Sequence, residues 1–168
     1  MVIRLAISRG ADVAALILSV GVCLLAGVIG SYFTTPNIAT WYDTLQKPFF
    51  TPPPWVFAPV WTTLYILMGI SLWLVWREWK STETGDARLA FKLFFMQLGL
   101  NVLWSLLFFG FRSPLAGMIG IILLWIAILA TIVVFFRISR TAGLLLIPYI
   151  AWVTAASALT FGVLILNP

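Results

Sequence analysis

The chain contains no histidine. That removes histidine-held metal sites, histidine-ligated haem and every Ser–His or Cys–His catalytic pair. Its single cysteine, Cys23, sits in an apolar run and has no partner for an internal disulfide. Charge is also scarce, at 9% of residues, against roughly 25% in an average soluble domain. Ten basic and five acidic residues leave a net charge of +5. The basic residues are scattered between apolar runs, with none of the basic stretches that track a phosphate backbone, so nucleic acid is excluded as a partner. No internal repeat is visible.

Apolar residues are what is abundant, at 62% of the 168, where a soluble chain carries roughly 45–50%. Too few polar groups remain to cover a water-facing surface, so the solvent is lipid. Five runs have the length of about 20 residues that crosses a bilayer core of about 30 Å. They are Val13–Phe33, Trp55–Trp76, Leu89–Phe111, Leu115–Phe136 and Ala142–Leu166. None alternates polar and apolar residues as a barrel strand does. The expectation is an all-α membrane protein, residues 1–168 forming one bundle of five transmembrane helices. Arg4 and Arg9 precede the first run, but that run is too long for a signal-peptide core and reads as a retained helix. Nine tryptophans accompany these runs, and membrane interfaces stabilise such amphipathic rings.

Arg112-Ser113-Pro114 and Arg137 to Thr141 read as short turns, which force antiparallel neighbours. Residues 77–88, with Glu83, Thr84, Gly85 and Asp86, form a polar loop, and residues 34–54 the longest connection. Arg4, Arg9, Arg77, Lys80, Arg88, Lys92, Arg137 and Arg140 fall on one side, while Lys47 and Arg112 fall on the other. The positive-inside rule then puts the N-terminus in the cytoplasm and the C-terminus outside. The expected location is the bacterial inner membrane.

No ionisable residue lies deep in a span, which argues against a pump built on a carboxylate relay. The polar residues within spans are few. Gln97, Asn101, Trp104 or Ser105, and Phe108 recur at helical spacing on one face of the third helix. Two readings stand for the amides: glue between helices, or contacts to a ligand in a cavity. Trp61 and Tyr65 share a face of the second helix, and Tyr149, Trp152 and Ala156 a face of the fifth. Pro148 is expected to kink that helix. An aromatic stripe serves packing, or lines a flat apolar pocket suited to a planar macrocycle. Ala26 with Gly30, and Gly27 with Ser31, are small pairs that allow close helix approach.

The segment from Trp41 to Trp61 reads WYDTLQKPFFTPPPWVFAPVW. Its prolines restrict the backbone, and it is too apolar for a solvated linker. It reads as an ordered lid over the outer mouth of the bundle, including Trp41, Lys47, Pro48 and Pro53. Pro59 is expected in the tolerated first turn of the second helix.

The pattern Trp41-Tyr42-x-x-Leu45-x-Lys47-Pro48, then Pro52-Pro53, then Pro59-Val60-Trp61-x-x-Leu64-Tyr65, resembles the tryptophan-rich sensory protein / translocator protein family. The match continues through Gln97-Leu98-x-Leu100-Asn101-x-x-Trp104-Ser105, Phe108-Phe109-Gly110, Pro148-Tyr149-x-Ala151-Trp152 and Leu166-Asn167. The resemblance implies five helices around a lidded ligand cavity, a homodimer, and a sensory or regulatory receptor that binds protoporphyrin IX, with no cofactor required and membrane lipids around it. Transport of porphyrins or lipids is an alternative. By matching positions, the ligand site comprises Trp61, Tyr65, Asn101, Trp104, Tyr149, Trp152 and Ala156. Trp61 and Trp152 match tryptophans tied to light-dependent porphyrin breakdown, so they are the candidates for any catalytic part. Gly120 stands where many relatives carry a carboxylate. Thr160, Phe161 and Ile165 depart from the sterol motif, so cholesterol is discounted as a partner.

Overall fold

The computed structural model describes residues 8–82 and 87–168. Arg4 lies outside them, as do Glu83, Thr84, Gly85 and Asp86 of the expected polar loop. The described chain is helical, without a strand. Helix α1 covers Arg9–Ile38, α2 Pro54–Thr82, α3 Ala87–Ser105, α4 Pro114–Ile138, α5 Arg140–Leu145 and α6 Ile147–Leu166. Five stretches are long and apolar enough to cross a bilayer, the fifth being α5 and α6 in succession.

Most helices outrun the apolar sequence that announces them. Helix α1 starts earlier because Ser8 caps it, its hydroxyl accepting from Ala11 N at 3.3 Å, and Asp12 in the first turn complements the helix dipole. It also runs past Phe33 to Ile38, with Pro36 inside. Pro36 removes one backbone donor, but only two residues of helix follow it. The Asn37 and Thr40 side chains donate to Phe33 O and Pro36 O, at 2.9 and 2.8 Å. The connection expected over 34–54 is therefore shorter. Pro59 is also corrected: α2 begins at Pro54, so Pro59 lies inside the helix, beyond its first turn.

Helix α3 does not stop at Ser105 but widens into a π turn over Leu106–Gly110, with Phe111 N donating to Leu106 O at 2.8 Å. Arg112 follows at φ 52°, a left-handed backbone uncommon for a side-chain-bearing residue. Its Nε donates to Asn37 Oδ1 at 3.0 Å, tying this corner to the end of α1. Ser113 then caps α4, accepting from Ala116 N at 3.2 Å, with Pro114 opening the helix. Ser139 alone separates α4 from α5. The kink expected at Pro148 appears as a break at Leu146, between α5 and α6, because proline cannot donate into the helix ladder.

Helix α3 packs most closely on α4, and α1 on α2. Glycines set the distances. A Cβ on Gly69 would stand 2.5 Å from Val20 Cα, so α2 and α1 touch backbone to backbone there. One on Gly27 would meet the Tyr65 ring at 2.6 Å. At the end away from the lid, Trp73 Nε1 donates to Asp12 Oδ1 at 3.0 Å and the Arg77 guanidinium lies 4.7 Å from the Trp73 ring centroid. Arg77 Nε also approaches Asp12 Oδ1 at 3.5 Å, closing a three-residue tie between α1 and α2.

Candidate ligand site

Three buried polar side chains from three helices meet inside the bundle. Tyr65 on α2 donates its hydroxyl to Asn101 Oδ1 at 2.6 Å, and Asn101 Nδ2 on α3 donates to the Tyr149 hydroxyl of α6 at 3.0 Å. All three are buried, with Asn101 2% and Tyr149 1% exposed. In lipid such groups have no water to fall back on, so each needs a partner within the protein. The break at Leu146 lets α6 start a fresh helical phase, and Tyr149 then faces inward. Ser71 Oγ donates to Ala142 O at 2.7 Å and ties α2 to α5 just before the break.

Trp61 lies one turn from Tyr65 and stacks on it, with centroids 5.6 Å apart and planes 28° apart. It meets Tyr149 edge-on at 6.3 Å. Such pairs prefer offset or edge-to-face geometry because of the ring quadrupole. Trp61 is only half-buried, so part of the indole remains available. Trp152 is also half-buried and meets Phe57 edge-on at 5.8 Å. Between α2 and α6 runs an apolar groove of about 630 Å³, lined by Val60, Thr63, Leu64, Ala151, Trp152 and Ala155 among others. Ala156 packs on the core beside it.

Trp104 belongs to a second aromatic group. It stacks on Phe108 at 5.6 Å and meets Phe109 edge-on at 6.0 Å. The π turn brings Phe108 and Phe109 inward together, 4.9 Å apart. Helical spacing points to Phe108 alone, so Phe109 is a residue that sequence periodicity misses. The lid docks here: Trp41 lies 5.5 Å from Phe108, and Tyr42 lies 5.6 Å from Phe109. Burial pushes the Tyr42 phenol above its usual ionisation range. The Lys47 ammonium sits 5.1 Å from the Tyr42 ring centroid and 3.6 Å from Asp43 Oδ1. Pro48 rests on Gly162, and Pro53 is exposed at the entry to α2.

The seven sequence-derived ligand residues thus divide. Trp61, Tyr65, Asn101 and Tyr149 form one contiguous group. Trp152 and Ala156 flank it along α6, and Trp104 lies under the lid. Every polar group in the set is neutral, so the arrangement offers ring stacking and neutral hydrogen bonds rather than acid–base chemistry. Among the described residues, two buried side chains have polar atoms without a partner: the amide of Gln97, at both Nε2 and Oε1, and Trp104 Nε1.

A five-span helical membrane protein with an aromatic, uncharged interior and a docked proline-rich lid is the class these features define. The sequence profile of the TspO/MBR family matches residues 19–166. The chain is 50% identical over 155 residues to a tryptophan-rich protein TspO of Chlorobaculum tepidum, covering 91% of this chain and 96% of that one. It is 47% identical over 154 residues to one of Archaeoglobus fulgidus, covering 90% and 96%. To the human translocator protein it is 38% identical over 133 residues, covering 79% and 78%. The chain belongs to the TspO/MBR family and is an integral membrane protein of that kind.

Proposed function

We propose that the protein is a sensory or regulatory receptor that binds a flat tetrapyrrole such as protoporphyrin IX beside the aromatic rings of α2 and α6. The observation that carries this is the half-exposed Trp61, stacked on Tyr65 and backed by Tyr149, next to an apolar groove bearing Trp152. Rigid indole faces suit a planar macrocycle, and a groove with few polar groups matches its apolar rim. The Tyr65–Asn101–Tyr149 chain holds the rings in place. The inner membrane, with the N-terminus cytoplasmic, is the proposed setting: Arg9, Arg77, Arg88, Arg137 and Arg140 lie at one end of the bundle, Lys47 and Arg112 at the other. Pairing as a homodimer belongs to the same proposal, from the family resemblance.

Titration of protoporphyrin IX into detergent-solubilised protein in the dark tests the reading. Trp fluorescence is expected to be quenched, with weaker binding in Trp61→Phe and Trp152→Phe. Quenching no different from that of an unrelated tryptophan-rich membrane protein rejects it. Contact of Trp61 with two phenols also favours a photochemical reading, in which the porphyrin absorbs light and the indole is its reaction partner. Loss of the porphyrin absorption band only under light, and only with both tryptophans present, supports that reading.

A further inference from the structure

We infer that the side-chain amide of Gln97 anchors a carboxylic acid group, in its neutral form, on the molecule bound inside the bundle. The inference rests on the tetrapyrrole reading and adds a position and a ligand chemistry to it. Gln97 is 1% exposed, and neither Nε2 nor Oε1 has a hydrogen-bond partner. A primary amide cut off from both water and protein is strongly unfavourable, so an orphan of this kind calls for an explanation. Asn101 sharpens the contrast. It lies four residues on, on the same face of α3, and both of its amide atoms are engaged by Tyr65 and Tyr149. One amide closes the fold, and the other is left over.

The orphaned atoms define the group that fits them. Nε2 needs an acceptor and Oε1 needs a donor. A carboxylic acid supplies both at once, in a paired arrangement with the amide. An ionised carboxylate has no proton for Oε1. Lys92, the nearest basic residue along α3, is five residues away and exposed, about 140° round the helix from Gln97. Gln97 lies about 6 Å along the α3 axis from Asn101, beyond the aromatic group of Trp61, Tyr65 and Tyr149. A tetrapyrrole set against the half-exposed Trp61, with a propionic acid arm directed inward, presents the required group.

The test compares protoporphyrin IX with its dimethyl ester, on the wild-type protein and on Gln97→Leu and Gln97→Met. The ester keeps the carbonyl acceptor but loses the donor. The wild type is expected to favour the acid over the ester by about fivefold more than the variants do, the worth of one hydrogen bond. The empty variants are expected to be at least as thermostable as the wild type, because an unpaired amide has been replaced by an apolar side chain. An identical acid-to-ester ratio in all three proteins, with tryptophan-dependent quenching intact, overturns this inference alone. A lower melting temperature in both variants also overturns it, by assigning the amide a partner within the fold. Failure of the wild type to bind the acid rejects the tetrapyrrole reading and this inference with it.

Discussion

Asn167 clasps the backbone of Gln46 at two points: its Oδ1 accepts from Gln46 N at 3.0 Å and its Nδ2 donates to Gln46 O at 2.9 Å. A residue just past the end of α6 thereby holds the middle of the lid, 121 positions earlier in the chain. The same Nδ2 also reaches Val163 O at 2.8 Å, which fixes the amide to the last turn of its own helix. The lid is thus fastened to the bundle by its backbone as well as by Trp41 and Tyr42.

Asn167→Ala removes both points of the clasp. The bonds are exposed, so the expected loss is small, about 1 kcal/mol. It should be local: amide exchange at Gln46 and its neighbours should quicken while exchange in α3 and α4 stays slow. Equal acceleration throughout the chain would show that the clasp is not confined to the lid.

Gly162 is the seat of Pro48, and any Cβ there runs into the proline ring. Gly162→Val should lift the lid without disturbing the Tyr65–Asn101–Tyr149 chain. Proteolysis between Trp41 and Thr51 is the measurement, with faster cleavage expected and only a slight change in melting temperature. Gly69→Ala should behave differently, because its Cβ meets the Val20 backbone, which cannot swing away as a side chain can. A global loss of about 1–3 kcal/mol is expected there.

Tyr65→Phe leaves Asn101 Oδ1 buried without its donor, at an expected cost of about 1–3 kcal/mol. Tyr149→Phe removes the acceptor of Asn101 Nδ2 and should cost a similar amount. The double variant should cost less or more than the sum, because both tyrosines act through one amide. Thermal unfolding in detergent measures all three, and strict additivity would refute a shared network.

Tyr42 gives the lid a pH dependence. Burial raises its folded-state ionisation above the usual value of 10.0. Above that value the undocked phenol releases its proton first, so the docked lid binds more protons than the undocked one. Stability of docking is therefore fully present below pH 10 and lost as pH rises beyond it. Protection of the lid amides, taken relative to the intrinsic exchange rate at each pH, should fall in that alkaline range, and Tyr42→Phe should abolish the fall.

Some of this architecture was legible in the residues alone. Five spans followed from run length, because lipid offers the backbone no hydrogen-bond partners and forces each crossing into a helix. The disturbance at Pro148, expected as a kink, and the turn at Arg112-Ser113-Pro114 followed from local chemistry, since a proline cannot donate into a helix; the break at Leu146 and the Ser113 cap came from the structure. The shared face of Gln97, Asn101 and Ser105 followed from helical period. The family resemblance was carried by the pattern of tryptophans, prolines and amides along nearly the whole chain, and the match of the family profile to residues 19–166 established membership.

The tertiary structure decided what period cannot. Gln97 and Asn101 are equivalent in the sequence pattern, yet one is orphaned and the other is bonded to residues 36 and 48 positions away. That difference depends on how α2 and α6 are rotated about their axes, which is set by packing against α1, α3 and α4. Phe109 turns inward only because a π turn shifts the phase of α3, and α1 continues through Pro36 only because a single lost bond near a helix end is tolerated. The lid's position rests on contacts between Trp41 and Phe108 and between Gln46 and Asn167, pairs so distant in the chain that only the folded bundle brings them together.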